Sequence, residues 1–299
     1  MKNITYNFTY SSLFIIYLGT WNVRTMLQPG KMQEVAEQIL QTEVQIIALQ
    51  EIRWKGQGQI KKNIYNLYYI SKEGQTGKLG TEFLARKETV KNIMGFEPIN
   101  ERTCKLRLKG KYYNITIINI HALTENKDDT KECFYAKLQQ IQEKVPKHDL
   151  LILGDYNAKM RRERAYQKVI RNHTLHETTN RNGELTCEYA IANDMVVSST
   201  FFQHKNIHKG TWISPDTLTL NQIDHVLVSN CKKQMIQDIR TLCGPNCDSD
   251  RFLVKVIVKQ KLIVTQKEFE KKLRWDNSNL QSPEKLRAYN KRLNERLEN

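Results

Sequence analysis

Two polar residues follow an apolar run near the middle of the chain, and their types and spacing suit hydrolytic chemistry. Asp155 and Asn157 stand two positions apart, directly after the apolar run 150–153 and Gly154. Residues two apart in extended backbone face the same side, so these side chains would lie together at the end of a buried strand. A carboxylate and a carboxamide placed in this way can deprotonate a water molecule and orient it. The pair therefore indicates half of a site that hydrolyses phosphodiesters.

Three further carboxylates, spread along the chain, can supply the other half of such a site. Glu51 ends the run Ala-Leu-Gln-Glu upstream, and Asp224 and Asp250 follow downstream. Carboxylate oxygens are the ligands that Mg²⁺ prefers in proteins. The structural alternatives are a surface glutamate after a buried strand at Glu51 and an Asx turn at Asp155.

The elements that must position these residues alternate between strands and helices early in the chain and are mostly strands later. Apolar runs predict strands at 13–23, 46–50, 64–70, 83–86, 104–109, 112–120, 150–154, 196–199, 211–212, 223–229 and 253–258. Apolar residues at helical spacing predict helices at 31–41, at 128–145 and around 188–193. This mixture is typical of two packed sheets flanked by helices.

The bulk composition is that of a globular protein with a strong positive charge. The 299 residues are 39% hydrophobic, and the formal net charge is +15. This charge indicates a polyanionic partner, although Lys and Arg are spread along the chain, which also fits a solvated basic surface. The six cysteines lack the paired spacing of a zinc site, so we expect free thiols in a reducing compartment.

The beginning of the chain raises the question of a targeting segment. Residues 1–12 are polar and are predicted to be disordered. The apolar run 13–18 is too short for a signal peptide or a membrane span, so we interpret it as the first strand. The sequons at Asn3, Asn7 and Asn114 then have no glycosylation meaning.

The end of the chain changes in composition after about residue 260. Residues 13–260 are predicted as one domain, and residues 261–299 as a charged helical tail or linker. Within this tail Leu286, Tyr289 and Leu293 recur at helical spacing. A solvated basic helix and a helix that binds a partner both fit this pattern.

Several short strings, in a fixed order, carry a resemblance to a known family. They are Gly-Thr-Trp-Asn-Val-Arg-Thr-Met at 19–26, Leu-Gln-Glu at 49–51, Asn-Ile-His-Ala at 119–122, Gly-Asp-Tyr-Asn-Ala-Lys at 154–159, Gly-Thr-Trp at 210–212, Asn-Gln-Ile-Asp-His-Val at 221–226 and Asp-Ser-Asp-Arg-Phe-Leu-Val at 248–254. The chain resembles the endonuclease/exonuclease/phosphatase superfamily, which includes deoxyribonuclease I, and in particular the endonuclease domains of non-LTR retrotransposons. The resemblance implies an α/β fold: a deoxyribonuclease I-like four-layer sandwich of two mixed β-sheets flanked by helices.

The resemblance also implies roles for individual residues. As metal ligands it implies Glu51, Asn22 and Asp250, with Mg²⁺ or Mn²⁺ as the cofactor. As catalytic residues it implies Asp155 to activate the attacking water, Asn157 to orient the phosphate, His121 to bond a phosphate oxygen, and Asp224 to orient the final residue of the site. His225 should point to the opposite face of its strand and serve in packing.

That final residue departs from the family. The family closes its site with Ser-Asp-His, and this chain reads Ser249-Asp250-Arg251. An arginine cannot exchange a proton near neutral pH, but it can pair with Asp224 and neutralise charge on a phosphate. Glu82 stands where the family usually has a small glycine, and Arg161-Arg162 is a further divergence.

Three functions are compatible with these residues. The first is a Mg²⁺-dependent DNA endonuclease derived from a retrotransposon, which nicks a strand to leave 3′-hydroxyl and 5′-phosphate ends. The second is a catalytically impaired nucleic-acid-binding remnant, which Arg251 favours. The third is a phosphatase of the same fold that acts on a phospholipid or a nucleotide, against which the charge of +15 counts.

Cations and aromatic residues near the strand ends predict how DNA would bind. Arg53 and Lys55 follow Glu51, and Lys159 and Arg161 follow Asn157. Trp212 offers an aromatic face. We expect these residues to contact mainly the phosphate backbone, since no motif for reading bases is present. We expect no membrane association, a monomer, and a nuclear location.

Overall fold

The computed structural model describes residues 14–71, 79–110, 113–124, 130–146, 150–260 and 282–297. The chain divides into two compact units, Met1–Ile263 and Val264–Asn299. The predicted disorder of residues 1–12 and the stretch 261–281 of the predicted tail lie outside the described residues. No helix in the part of the chain that the structure describes has the length and apolar character needed to cross a bilayer.

The strands and helices have the following bounds. The strands are Phe14–Asn22 (β1), Ile46–Gln50 (β2), Gln57–Lys61 (β3), Tyr65–Ile70 (β4), Thr81–Arg86 (β5), Ile93–Asn100 (β6), Thr103–Leu108 (β7), Ile115–His121 (β8), Leu150–Asp155 (β9), Met195–Val197 (β10), Trp212–Ile213 (β11), Leu220–Asn221 (β12), Asp224–Ser229 (β13), Ile236–Leu242 (β14) and Leu253–Gln260 (β15). The helices are Lys31–Leu40 (α1), Lys87–Val90 (α2), Lys131–Glu143 (α3), Arg181–Ala192 (α4) and Pro283–Leu297 (α5).

The strands of the first unit form two mixed sheets. One sheet has seven strands in the order β14-β15-β1-β2-β5-β4-β3, and the other has six in the order β10-β13-β9-β8-β7-β6. Each contains one parallel pair, β1 with β2 in the first sheet and β8 with β9 in the second. Because parallel strands end at the same edge, each pair brings two carboxyl ends together.

Three apolar clusters hold the layers together. The cluster between the sheets includes Ile16, Phe83 and Leu106, and its members are buried from solvent. On the outer face of the first sheet the cluster includes Val35 of α1. On the outer face of the second sheet it includes Leu138 of α3 together with residues of α4. Full burial of one such side chain contributes about 1.5–3 kcal/mol. The result is the four-layer, deoxyribonuclease I-like sandwich that the family resemblance implies.

The central strands and the main helices agree with the predictions, including β1 at the apolar run near the N-terminus. Four strands were not predicted, namely β3, β6, β12 and β14. Strands β3, β6 and β14 are edge strands of the two large sheets, and β12 pairs only with β11. An edge strand has one partner and a more exposed surface, so its residues need not alternate as clearly as those of a central strand. In β3, for example, polar and half-exposed residues alternate with no buried position.

Helix α4 begins earlier than predicted, at Arg181 rather than near residue 188. Asn180 caps it, because its side chain accepts a hydrogen bond from Gly183 N at 2.9 Å. The first turn is polar yet buried at Asn182, so apolar spacing could not reveal it.

Helix α5 of the second unit is confirmed, with Leu286, Tyr289, Leu293 and Leu297 exposed. All six cysteines are free thiols, as expected.

Candidate active site

Strand ends from both sheets bring the predicted residues together. In the first sheet, Asn22 at the end of β1 lies beside Gln50 at the end of β2. In the second sheet, Asp155 at the end of β9 lies between His121 of β8 and Asp224 of β13. His121, Asp155 and Asp224 are therefore cross-strand neighbours in one row. They are far apart in the sequence, so the sequence alone does not show that they are neighbours.

A glycine permits this close approach of strands. Gly154 precedes Asp155 and has φ +149°, and a Cβ built on it would lie 2.0 Å from the backbone oxygen of Ile120. Any side chain at this position would collide with β8. The glycine thus allows β9 to carry Asp155 directly beside His121.

Buried polar side chains connect the two sheets just behind the site. Gln50 Nε2 donates to Asn119 Oδ1 at 2.7 Å and to Thr20 Oγ1 at 2.9 Å. Asn119 Nδ2 donates in turn to the backbone oxygens of Leu49 at 2.9 Å and Glu82 at 3.0 Å. These bonds fix the separation between the end of β2 and the end of β8. Sequence reasoning did not assign this role, although both residues lie in the quoted strings Leu-Gln-Glu and Asn-Ile-His-Ala.

One group of side chains has the geometry of a metal site. Ligand atoms of Glu51, His121 and Asp155 all lie within 4.8 Å of one another. Asn22 Nδ2 donates to Glu51 Oε1 at 2.8 Å and to Asp155 Oδ2 at 3.0 Å. Two carboxylates and an imidazole are a donor set that fits a divalent cation. The ring nitrogen of His121 that lies near Glu51 Oε1 is Nε2, at 3.6 Å, and buried Nδ1 has no hydrogen-bond partner among the described residues.

Asn22 reaches these carboxylates through its amide nitrogen. Its oxygen Oδ1 accepts a hydrogen bond from Arg24 N at 2.9 Å instead. In this arrangement Asn22 orients the two carboxylates, and its predicted role as a metal ligand remains a prediction. Glu51 itself has φ 58°, a left-handed conformation that is costly for a residue with a side chain. Strain of this kind is common where backbone must aim a functional group.

His121 is buried within a charged environment. Burial lowers the pKa of its imidazole, and the guanidinium groups of Arg102 and Arg251 act in the same direction against the carboxylates of Asp155 and Glu51. Its Nε2 lies 3.6 Å from Glu51 Oε1. The ring is therefore neutral at pH 7 and offers a nitrogen lone pair.

Arg251 lies between the two aspartates of the second sheet. Its Nη2 forms an ion pair with Asp155 Oδ2 at 3.0 Å, and its Nη1 donates to Asp224 Oδ2 at 3.3 Å. Nη2 also donates to Asn157 Oδ1 at 3.5 Å. Burial works to lower the pKa of Arg251, but the charges of Asp155 and Asp224 outweigh it, and the net shift is upward. The pairing with Asp224 is as predicted, and the pairing with Asp155 is an additional finding.

The side chains of Trp21 and Ser249 hold the loop that carries Arg251. Trp21 Nε1 donates to the backbone oxygen of Arg251 at 3.0 Å. Ser249 Oγ donates to Asn22 O at 2.7 Å and accepts from Arg251 N at 3.2 Å. These bonds attach the loop to the end of β1, so Arg251 and Asn22 reach the same carboxylate.

Asp224 and His225 point to opposite sides of β13. Thr211 Oγ1 accepts from Asp224 N at 3.1 Å, and buried Asp224 Oδ1 has no partner among the described residues. Burial raises the pKa of Asp224 and the Asp155 charge adds to this, whereas Arg251 opposes it. His225 bonds Ser199 Oγ and Ala158 O, both at 2.8 Å, and serves in packing as predicted.

Asn157 forms the Asx turn that was the structural alternative for the Asp-x-Asn pair, and its role in orienting a phosphate remains a prediction. Its backbone N donates to Asp155 Oδ1 at 3.0 Å, which is an Asx turn, and its φ is 50°. Its Nδ2 donates to Ala122 O at 3.1 Å. Asn182 Nδ2 donates to Asn157 O at 3.1 Å, so α4 helps to hold the loop. The turn leaves Asn157 Oδ1 beside Arg251.

Asp250 lies near the site but outside the metal group. Its Oδ2 accepts from Trp212 Nε1 at 2.9 Å, and its Oδ1 lies 3.9 Å from Arg251 Nε. Its metal role therefore remains a prediction. The indole of Trp212 is half-buried and anchored to Asp250.

The predicted DNA-contacting cations have different environments. Arg53 Nη2 pairs with Glu51 Oε2 at 2.9 Å, and Lys159 is half-buried, whereas Lys55 and Arg161 are exposed. Exposed Arg24, which was not predicted, lies two residues after Asn22. Together with Lys31, Arg24 and Arg53 line a cavity of about 280 Å³ beside the site. The position of Arg24 could have been inferred from the string Trp-Asn-Val-Arg, in which the arginine lies two residues after the strand-end asparagine.

This chain belongs to the endonuclease/exonuclease/phosphatase family, whose sequence pattern it matches over residues 19–234. It is 30% identical over 254 residues to craniofacial development protein 2 of Bos taurus, across 84% of this chain and 42% of the relative. The chain thus spans less than half the length of that relative.

Solved structures at low identity share the fold. The AP endonuclease LMAP from Leishmania major superposes with a TM-score of 0.62 at 14% identity, covering 87% of this chain and 92% of that one. The endonuclease domain of TRAS1, a telomere-specific non-LTR retrotransposon, gives 0.57 at 11% identity, covering 83% and 99%. The 3′ phosphatase NExo from Neisseria, bound to a product DNA hairpin, gives 0.55 at 16% identity, covering 81% and 98%.

Proposed function

We propose that this chain is a divalent-metal-dependent DNA endonuclease of retrotransposon origin, which nicks one strand by attack of water on a phosphate. The observation that carries the proposal is the convergence of Glu51, His121 and Asp155 at strand ends of two sheets. The net charge of +15 favours a polyanion over a small phosphorylated substrate. Similarity in fold to the TRAS1 domain and to a DNA-bound NExo supports the choice of DNA.

The metal, Mg²⁺ or Mn²⁺, would be held by Glu51 with Asp155, and when bound it would polarise the phosphate and neutralise its charge. Asp155 would hold the metal through one carboxylate oxygen and accept the proton of the attacking water through the other. Asn157 and the guanidinium of Arg251 contact the phosphate oxygens, where negative charge develops. The water oxygen bonds to phosphorus as the bond from phosphorus to the 3′ oxygen breaks, and that oxygen takes a proton from solvent. The products carry 3′-hydroxyl and 5′-phosphate ends.

A second candidate is a nucleic-acid-binding remnant with impaired catalysis. The ion pair between Arg251 and Asp155 favours it, because Asp155 Oδ2 already accepts from Asn22 Nδ2 at 3.0 Å and its Oδ1 accepts from Asn157 N. An attacking water must then compete with these donors. In both cases DNA binding follows from the charge, and we expect a monomer in the nucleus, where DNA is available.

Nicking of a supercoiled plasmid separates the two candidates. Wild-type protein should convert supercoiled to open-circular DNA with Mg²⁺ or Mn²⁺ and not with EDTA. Glu51→Gln, which removes a ligand charge, should abolish this conversion. Glu88→Gln, an exposed substitution on α2, is the matched control and should nick at the wild-type rate. DNA binding without metal-dependent nicking would support the remnant instead.

A further inference from the structure

One ring nitrogen of the buried His121 side chain lacks a hydrogen-bond partner among the described residues. The side chain is 5% exposed, and its Nδ1 has no hydrogen-bond partner among the described residues. Its Nε2 is 3.6 Å from Glu51 Oε1, which is longer than a hydrogen bond. Buried imidazoles normally bond through their nitrogens, so the environment of His121 is incomplete.

The neighbours of His121 restrict what can complete it. One carboxylate oxygen of Glu51 and one of Asp155 lie within 4.8 Å of a ring nitrogen of His121, and Asp155 is the cross-strand neighbour of His121 on β9. Arg102 binds the backbone of His121, since its Nη1 donates a hydrogen bond to His121 O at 3.1 Å. One oxygen from each carboxylate and a ring nitrogen of His121 surround one point, and this donor set suits a cation that accepts nitrogen as well as oxygen ligands. Such a cation binds beside two existing ion pairs, because Arg53 pairs with Glu51 Oε2 and Arg251 with Asp155 Oδ2.

We propose that His121 ligates the divalent cation together with Glu51 and Asp155, and that the site consequently prefers a first-row transition ion to Mg²⁺. Carboxylate and water ligands suit Mg²⁺, whereas imidazole suits later ions, whose affinity for mixed nitrogen and oxygen sites rises from Mn²⁺ to Co²⁺ and beyond. The inference names the ion of the site proposed above, and it rests on that assignment of the metal position.

The test is ion binding in the absence of DNA. Titration calorimetry of the full chain with Mg²⁺, Mn²⁺ and Co²⁺ should give the weakest binding for Mg²⁺ and the tightest for Co²⁺. The visible absorption of bound Co²⁺ should change when its nitrogen ligand is lost. His121→Phe should weaken Co²⁺ binding by about tenfold or more and Mg²⁺ binding by much less.

Two further variants make the result specific. His121→Gln offers an oxygen in place of the nitrogen, so it should keep Mg²⁺ binding and lose the preference for Co²⁺. His173→Phe alters a histidine outside the site and should leave all affinities unchanged. Thermal melting checks that each variant is folded, and the Gln variant carries the test if the Phe variant is not.

Failure of this inference is distinct from failure of the proposed function. Equal loss of Mg²⁺ and Co²⁺ binding in the His121 variants, or no loss of either, overturns the nitrogen ligand, even if Glu51-dependent nicking with Mg²⁺ is observed. Conversely, Co²⁺ binding that depends on His121 in a protein that never nicks DNA supports the ligand and refutes the endonuclease. A wild-type chain that binds Mg²⁺ as tightly as Co²⁺ also overturns the proposed preference.

Discussion

The guanidinium of Arg251 lies 3.0 Å from Oδ2 of Asp155, the carboxylate that the family resemblance assigns to activation of water. Both side chains are largely buried, with 11% of the Arg251 side chain exposed and none of that of Asp155. An ion pair in such surroundings is much less screened than one at the surface. Arg251, which stands where the family has a histidine, therefore does more than lack an exchangeable proton, because it also pairs with the carboxylate to which the resemblance assigns activation of water.

The first prediction concerns this pair. Arg251→His should raise the rate of plasmid nicking by about 10²- to 10⁴-fold, the usual contribution of a positioned acid or base. The substitution frees Asp155 Oδ2 for water and restores a group that can share a proton with Asp224. The measurement is the single-turnover nicking rate with Mg²⁺ and with Mn²⁺.

Arg251→Gln is the control for this prediction, because it also frees Asp155 but cannot exchange a proton. It should nick more slowly than Arg251→His. Equal rates in both variants would mean that release of Asp155 is the whole effect. A wild-type rate as fast as that of Arg251→His would show that arginine suffices.

The second prediction concerns Gly154 and the contact between β8 and β9. Gly154→Ala should lower the free energy of unfolding by about 3 kcal/mol, because the new Cβ meets Ile120 O and the φ of +149° is unfavourable for alanine. Gly95→Ala is the matched control, since a Cβ there meets no heavy atom within 4 Å. Urea unfolding followed by circular dichroism measures both, and similar losses in the two variants would contradict the close approach.

The third prediction concerns the pH dependence of stability. Burial raises the pKa of Glu82 to about 8, and neither of its carboxylate oxygens has a hydrogen-bond partner among the described residues. Below about pH 4.5 the carboxyl is protonated in both the folded and the unfolded chain. Between that pH and 8 the unfolded chain releases the proton and the folded chain retains it, so stability falls by about 1.4 kcal/mol per pH unit.

Glu82→Gln removes this titration. The variant should lose that part of the slope and should be more stable than wild type at pH 8, with a smaller difference near pH 5. Unfolding in urea at pH 5, 6, 7 and 8 gives the comparison, with exposed Glu88→Gln as the control. If the free energy of unfolding changes with pH in the same way in wild type and in Glu82→Gln, Glu82 does not retain a proton in the folded chain.

The fourth prediction concerns binding to DNA. Affinity for duplex DNA should fall steeply between about 50 and 200 mM salt, because contacts of Lys and Arg with phosphates release counterions. Lys55→Ala and Arg161→Ala should each weaken binding and reduce the salt slope by about one. Lys259→Ala is the control, since Lys259 is exposed near the opposite end of the β1–β15 pair. Fluorescence anisotropy measures this, and salt-independent affinity would refute binding to the backbone.

The amino-acid sequence by itself determined the central strands, the order of the polar strings and the divergence at Arg251. Buried strands such as β2 and β9 carry continuous apolar runs that end at polar residues, and this signal is local. Family strings then assigned Glu51, Asp155 and Asn157 to one site. The edge strands β3, β6 and β14 were missed because partial exposure leaves their side chains under weaker constraint.

Only the tertiary structure decided which of the assigned residues touch. It placed a ring nitrogen of His121 near the carboxylates of Glu51 and Asp155, set Asp250 against Trp212, and joined Arg251 to Asp155 as well as to Asp224. These contacts join residues on different strands and in different sheets. Their distances depend on strand register and on the packing of the two sheets, which are properties of the assembled chain and have no local signature in the sequence.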